Sequence, residues 1–363
     1  MTSPIEGRLV IPFSLSLQPV ERLFILDLMG HPSVASVELQ RVSAPRIGSG
    51  LRFLCFRHDG LVDVLTQESV DLPVSAPINR GHGVIAAVPF TRDRFDTHDG
   101  LDLDVELRDP EGAVWSLRVS AEAPPAGHGP FLAPVGSTVA RPDRLFAVEM
   151  LDFDMLHAGR SRVTIQHDGR AFAVARLPRV LTIRPTLLAR WAPEVVAADL
   201  MAGAHPPVTT LEASGPGRHE TPCGTVEVNA EQRATCITAG EGPRQAALLF
   251  PSGLASLDLL PQGTAPEEVP WVFEVAGDKV ASGRLAMDRT ADTIQLRLLP
   301  EAGWTPSHPR PLVRTITTLK PFMRRWPSTY RWDAELSLCG EPALLSARWS
   351  RTSPDSPAAP AAA

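Results

Sequence analysis

Between Arg144 and Arg190 apolar and polar residues alternate with the period of two expected of a half-buried strand. The pattern predicts a long strand from Arg144 to Met155, a tight hairpin from Arg162 to Leu177, and a further strand from Val180 to Arg190. Asp168-Gly169 supplies the two-residue turn whose twist matches paired strands. That register sets Ile165 opposite Phe172 and Val163 opposite Val174 on one face. Thr164 and Gln166 then fall opposite Ala173 and Ala171, so one face is oily and the other small or polar.

Similar segments fill most of the chain. Arg8 to Leu17 alternates as a strand, with Pro12 marking an edge or bulge. Leu51–Arg57 and Leu61–Thr66 bracket a second turn, His58-Asp59-Gly60, and both strands are apolar on two faces. His82–Phe90, Leu101–Arg108 and Ala113–Val119 follow, the last two joined by Asp109-Pro-Glu-Gly112. Ala121 to Pro134 is a Pro/Gly-rich loop. Beyond residue 219, strands are expected at Thr225–Asn229, Ala234–Thr238, Gln245–Phe250, Leu254–Leu260, Pro270–Val275, Val280–Met287, Thr293–Leu299 and Leu312–Thr317. Thr329–Leu338 and Ala343–Trp349 form a last hairpin around Cys339-Gly-Glu-Pro342.

Only two stretches carry a helical spacing. Pro19–Met29 has Val20, Leu23, Phe24 and Leu28 on one stripe, opens on proline and stops at Gly30 and Pro32. Pro193–Gly203 is built alike, although Val195 and Val196 also suit a strand. Lys320–Trp326 reads as irregular or one helical turn, and the Pro/Ala-rich Ser353–Ala363 as a disordered tail. The chain is therefore expected to be all-β with very little helix, as two antiparallel β-barrels or sandwiches in tandem. The N-terminal strand and short helix take residues 1–32, a first barrel 33–192, a linker 193–218, a second barrel 219–350, and the tail 351–363.

A length of 363 residues suits two cores, and 44% hydrophobic with 21% charged residues suits a folded protein. A net charge of -6 argues against a nucleic-acid partner, which calls for excess positive charge. All basic residues but Lys279 and Lys320 are arginine, which with 36 prolines reads as compositional bias. No apolar run reaches bilayer length and no leader pattern opens the chain, so a cytoplasmic location without a membrane span is expected. The cysteines, Cys55, Cys223, Cys236 and Cys339, include no C-x-x-C pair. Cys223 and Cys236 flank an expected hairpin and could bridge if oxidised; buried free thiols are the alternative.

His-Asp-Gly occurs at 58–60, 98–100 and 167–169, where backbone geometry at turns accounts for Asp-Gly. Asp102, Asp104 and Glu106 share one strand face at about 7 Å intervals and read as a solvated face. Asp152 and Asp154 share a side of the long strand, opposite in parity to Glu149, with His157 just beyond. Facing a barrel interior, they could work as a general acid/base pair; facing outward, they are a wet surface. His82 lies between Gly81 and Gly83, which permit close ligand approach. Near the C-terminal end Trp326, Tyr330 and Trp332 sit among Arg314, Lys320, Arg324, Arg325 and Arg331, as core or as a ligand wall. His219-Glu-Thr-Pro-Cys223 lacks the second histidine of a zinc helix. No phosphate loop, dinucleotide fingerprint or nucleophile elbow is present, and no metal or cofactor is expected.

Two successive barrels, a linking segment and a final strand pair carrying Tyr330 and Trp332 resemble the two-barrel lipocalin-like proteins, of the carotenoid hydratase and fungal Diels–Alderase types. The resemblance is one of layout over roughly residues 33–350. It implies a hydrophobic cavity, in or between barrels, for a polyene, terpenoid or polyketide-like molecule, and transfers no catalytic residue. The expected function is binding of such a molecule, with Asp152, Trp326, Tyr330 and Trp332 as ligand contacts. One alternative is a cofactor-independent hydratase, isomerase or cyclase using Asp154, His157 and His82. The other is a β-rich interaction module without ligand.

Overall fold

The structure, a computed structural model, describes residues 9–71, 82–122, 129–135, 141–177, 185–212, 215–222, 224–262, 267–307, 309–338 and 343–352. Cys223, Cys339, the turn 339–342 and the tail from Ser353 lie outside the described residues. The protein is all-β, with 64% of the described residues in strands and 7% in helix.

The first strands are β1 (Leu9–Ile11), β2 (Leu15–Gln18), β3 (Val20–Met29), β4 (Val34–Ala44), β5 (Gly48–Arg57) and β6 (Val62–Gln67). Next come β7 (His82–Val88), β8 (Phe90–Asp96), β9 (Gly100–Arg108), β10 (Val114–Glu122), β11 (Phe131–Leu132) and β12 (Leu145–Met150). The middle holds β13 (Asp154–His157), β14 (Ser161–His167), β15 (Arg170–Val174), β16 (Thr186–Ala192), β17 (Val195–Leu200) and β18 (Thr209–Leu211). The C-terminal strands are β19 (Gly217–Thr221), β20 (Gly224–Val228), β21 (Ala234–Glu241), β22 (Arg244–Leu254) and β23 (Glu267–Val275). They continue as β24 (Asp278–Thr290), β25 (Thr293–Ala302), β26 (Tyr330–Ser337) and β27 (Leu344–Arg351). Two helices, α1 (Pro311–Leu319) and α2 (Phe322–Arg325), precede β26.

Twelve strands make a nearly closed, barrel-like sheet in the order β7-β6-β5-β4-β3-β15-β14-β10-β9-β8, with β16 also pairing β3 and β13 pairing β16. Its two end strands follow each other in sequence through Pro89, so the chain itself links the sheet's edges. Strict alternation builds the wall. Leu101, Leu103, Val105 and Leu107 are buried inward, while the intervening acids pair outside with arginines. Arg92 reaches Asp104 at 2.8 Å and Glu106 at 2.7 Å, and Arg94 reaches Asp102 at 3.2 Å.

The second core lies between a nine-stranded antiparallel meander, β19 to β27 in sequence order, and a four-stranded sheet ordered β11-β12-β17-β2. One continuous cluster draws residues from 9–25, 131–155, 192–201 and 226–349. β3 is a wall common to both cores. Phe24, Leu26 and Leu28 face the barrel, and Val20, Leu23 and Ile25 the second core.

That shared wall explains the first correction. Pro19–Met29 is not a helix, because a strand apolar on two faces reproduces a helical stripe by coincidence, and its backbone bonds go to β4, β15 and β16. Pro193–Gly203 resolves likewise as β17, all six of whose residues are buried. The long strand from Arg144 is two strands. Leu151-Asp152 turn the chain, sending β12 to the four-stranded sheet and β13 to the barrel. Conversely, Leu312–Thr317 is helical within α1, where Pro311 opens the first turn and Val313 and Thr317, four apart, are buried together. The two-residue turn holds: Asp168 and Gly169 have φ of 50° and 74°, and Ile165 pairs with Phe172.

Candidate functional site

The aromatic residues expected as a ligand wall are fully buried in the second core. Trp326 meets Tyr330 edge-on at 5.7 Å, Tyr330 meets Trp349 at 6.0 Å, and Trp332 lies 5.8 Å from Phe13. Burial pushes the Tyr330 phenol up to about 12, against the opposing pull of Arg351, whose guanidinium lies 5.2 Å from the ring centroid. Asp152 is exposed at the turn between β12 and β13. Asp154 is buried at the start of β13, and His157 is half-buried at its end with Nδ1 3.3 Å from Thr186 Oγ1. His82 opens β7, and its side chain lies outside the described residues. Asp154 and His157 therefore share one short strand, β13.

The organising hairpin opens where its two strands part. β14 pairs with β10 over seven rungs, from Trp115↔His167 to Ala121↔Ser161, but with β15 over three. Past Phe172, β15 turns to β3 through Ala173↔Met29 and Val174↔Leu28. Val163 and Val174, opposite each other by strict alternation, flank the resulting slot instead of pairing. The slot is a solvent-open groove with a volume of about 680 Å³. Val163, Phe172, Val174 and Leu187 give it apolar walls, and Ser161 and Arg176 its polar ones. Arg176 is exposed, and no ion pair involves it among the described residues. Ala158, the residue after His157, also lines the slot. The barrel's own interior is occupied by Phe24, Phe53, Trp115, Trp191 and the inward leucines.

A polar constellation gathers around the hairpin's tip. His31 follows β3, His58 lies in the β5–β6 turn, and His167 ends β14. The His31 ring lies 5.3 Å from Trp115 and 5.2 Å from His167, which are stacked on each other at 4.1 Å. Its Nδ1 accepts the Val34 N–H at 2.9 Å, its Nε2 lies 3.1 Å from His167 Nδ1, and His58 Nε2 lies 3.1 Å from its carbonyl. Burial first, then the neighbouring His167, His58 and Arg170, lowers the His31 imidazole to about 4, so it is neutral at pH 7. His167 Nε2 faces Asp109 Oδ2 at 3.7 Å.

Of these groups His167 and Asp109 border a cavity of about 240 Å³ that also meets Cys55, Arg57, Asp63 and Trp115. Gly83 belongs to the same end. A Cβ there would fall 2.0 Å from Asp63 Oδ1, the oxygen that accepts the Val84 N–H at 2.8 Å. A side chain beside His82 would therefore displace the Asp63 carboxylate from this contact.

The repeated His-Asp-Gly was the sequence signal for this cluster. Turn geometry accounts for Asp and Gly but not for the histidine, and two of the three histidines, His58 and His167, converge on His31. His31 itself, between Gly30 and Pro32, carries no pattern that marks it. No group of three or more candidate metal ligands occurs among the described residues, and Cys55 and Cys236 are free, buried thiols. No helix among the described residues is long and apolar enough to cross a membrane. No family model matches the chain, and neither a curated protein nor a solved structure matches it.

Proposed function

We propose that the protein binds a hydrophobic small molecule, of polyene, terpenoid or polyketide-like character, in the slot between β14 and β15. The observation that carries this reading is the opening itself. Two strands of one hairpin part while keeping apolar side chains on the gap, and its 680 Å³ lies within the range of small-molecule sites. Exposed apolar walls cost free energy in water at about 25 cal/mol per Å², which an apolar ligand recovers by covering them. Arg176 gives the molecule's polar end a charged partner at the rim.

A second reading is a cofactor-independent hydratase, isomerase or cyclase acting on such a molecule. The position of His157, one residue from the slot wall at Ala158, favours it. The ligand reading is tested by native mass spectrometry of the purified protein, followed by extraction and identification of what it retains. A retained apolar molecule, or a thermal shift with members of a hydrophobic library, is the expected outcome. Nothing retained and no shift from any compound would refute it.

A further inference from the structure

The cavity at the tip of the hairpin is distinct from the slot, and its polar groups have a direction. His31 Nδ1 accepts from the Val34 backbone, so the proton of this neutral ring is on Nε2. Nε2–H then donates to His167 Nδ1 at 3.1 Å, which places the His167 proton on Nε2. That N–H is buried and has no hydrogen-bond partner. The nearest acceptor is Asp109 Oδ2 at 3.7 Å, beyond hydrogen-bonding reach. Asp109 Oδ1 is already engaged, accepting the N–H groups of Glu111 at 3.0 Å and Ala113 at 2.9 Å. His167 and Asp109 both line the cavity, so a donor and an acceptor stand side by side in its wall, 3.7 Å apart and unbonded to each other. One hydroxyl oxygen joins them, accepting from His167 and donating to Asp109.

The cavity's size and floor select what carries that hydroxyl. At about 240 Å³ it exceeds the roughly 30 Å³ share of a water molecule several-fold. Val34, Leu65, Val84 and Trp115 supply apolar surface for a carbon skeleton. Arg57 does not compete for Asp109, since it pairs with Asp59 at 2.7 Å and approaches Asp63 at 3.7 Å. We propose that this cavity binds a small alcohol, its hydroxyl held between His167 Nε2 and Asp109 Oδ2, with His31 as a positioning residue that fixes the His167 tautomer.

The test uses the full chain labelled with ¹⁵N-histidine, observed at the imidazole nitrogens at pH 7, with cyclohexanol as probe and methylcyclohexane as control. His167 protonated at Nε2, with that resonance shifting saturably on cyclohexanol and not on methylcyclohexane, is expected. Asp109→Asn keeps Oδ1 and its turn but replaces the accepting oxygen by a donor, and weakens cyclohexanol about fivefold, the value of one ordinary hydrogen bond. His167 carrying its proton on Nδ1, no saturable shift, an equal response to methylcyclohexane, or unchanged affinity in Asp109→Asn would each overturn the assignment.

Discussion

Replacing Glu149 by glutamine reduces the protein's loss of stability with rising pH. Glu149, on β12, is fully buried, and when protonated its carboxyl donates a hydrogen bond to the Asp278 carboxylate. Its charged neighbour is Asp278, at the start of β24, also buried, with Oδ1 accepting the Ser307 N–H at 2.9 Å. Burial first, and then the Asp278 charge, raises the Glu149 carboxyl well above its ordinary 4.5. The folded state thus holds a proton that the unfolded chain releases near pH 4.5. Stability falls as pH climbs from there toward the folded-state value, by up to about 1.4 kcal/mol per pH unit, and levels above it. Urea unfolding from pH 5 upward should show that slope in the wild type and a shallower one in Glu149→Gln, the remainder coming from Glu38 and Asp199, whose carboxyls burial also raises. Parallel profiles would mean that Glu149 ionises freely in the fold.

Arg52→Met should cost about 3 kcal/mol at neutral pH, because it leaves a buried acid without its cation. Gln40 and Arg52 are cross-strand partners on β4 and β5, and Arg52 Nε donates to Gln40 Oε1 at 2.7 Å. The Gln40 amide in turn donates to Glu38 Oε1. All three are buried; burial lowers the Arg52 guanidinium to about 10, with Glu38 pulling the other way. Burial raises the Glu38 carboxyl, opposed by Gln40, Arg52 and Arg190. Without Arg52 the folded state holds the Glu38 proton more tightly, so the deficit shrinks as pH falls toward the unfolded value. Adding Glu38→Gln to Arg52→Met should restore most of the loss. A double variant as unstable as the single would instead locate the cost in packing of the arginine stem.

What could be read from the chain followed the period of two. Asp168-Gly169 set a turn, Leu101 to Arg108 set an inside and an outside, and both stand as expected. The pattern failed at β3, a strand buried on two faces. The run Leu23-Phe24-Ile25-Leu26 serves two cores, and a local window cannot tell that from a helix stripe. It failed again at Leu151-Asp152, where alternation continues through a turn that long-range pairing imposes. The candidate sites were less legible still. The slot exists because β15 changes partner at Phe172, a consequence of β3 lying beside it, which no residue within the hairpin announces. His31 joins His167 across 136 positions of sequence, and a backbone N–H selects its tautomer.

If the gap between β14 and β15 holds an apolar molecule, filling that gap with a side chain must expel it. Val163 lines the slot and is only partly buried, so Val163→Trp can place an indole there without disturbing the packed barrel wall. Native mass spectrometry of the two proteins, each loaded with the same apolar compound found to shift the wild-type melting temperature, gives the answer as an occupancy. A bound wild-type species and at least a tenfold lower occupancy in Val163→Trp at an unchanged fold are the expected result. Equal occupancy in the two proteins would contradict it, because the molecule would then be held elsewhere.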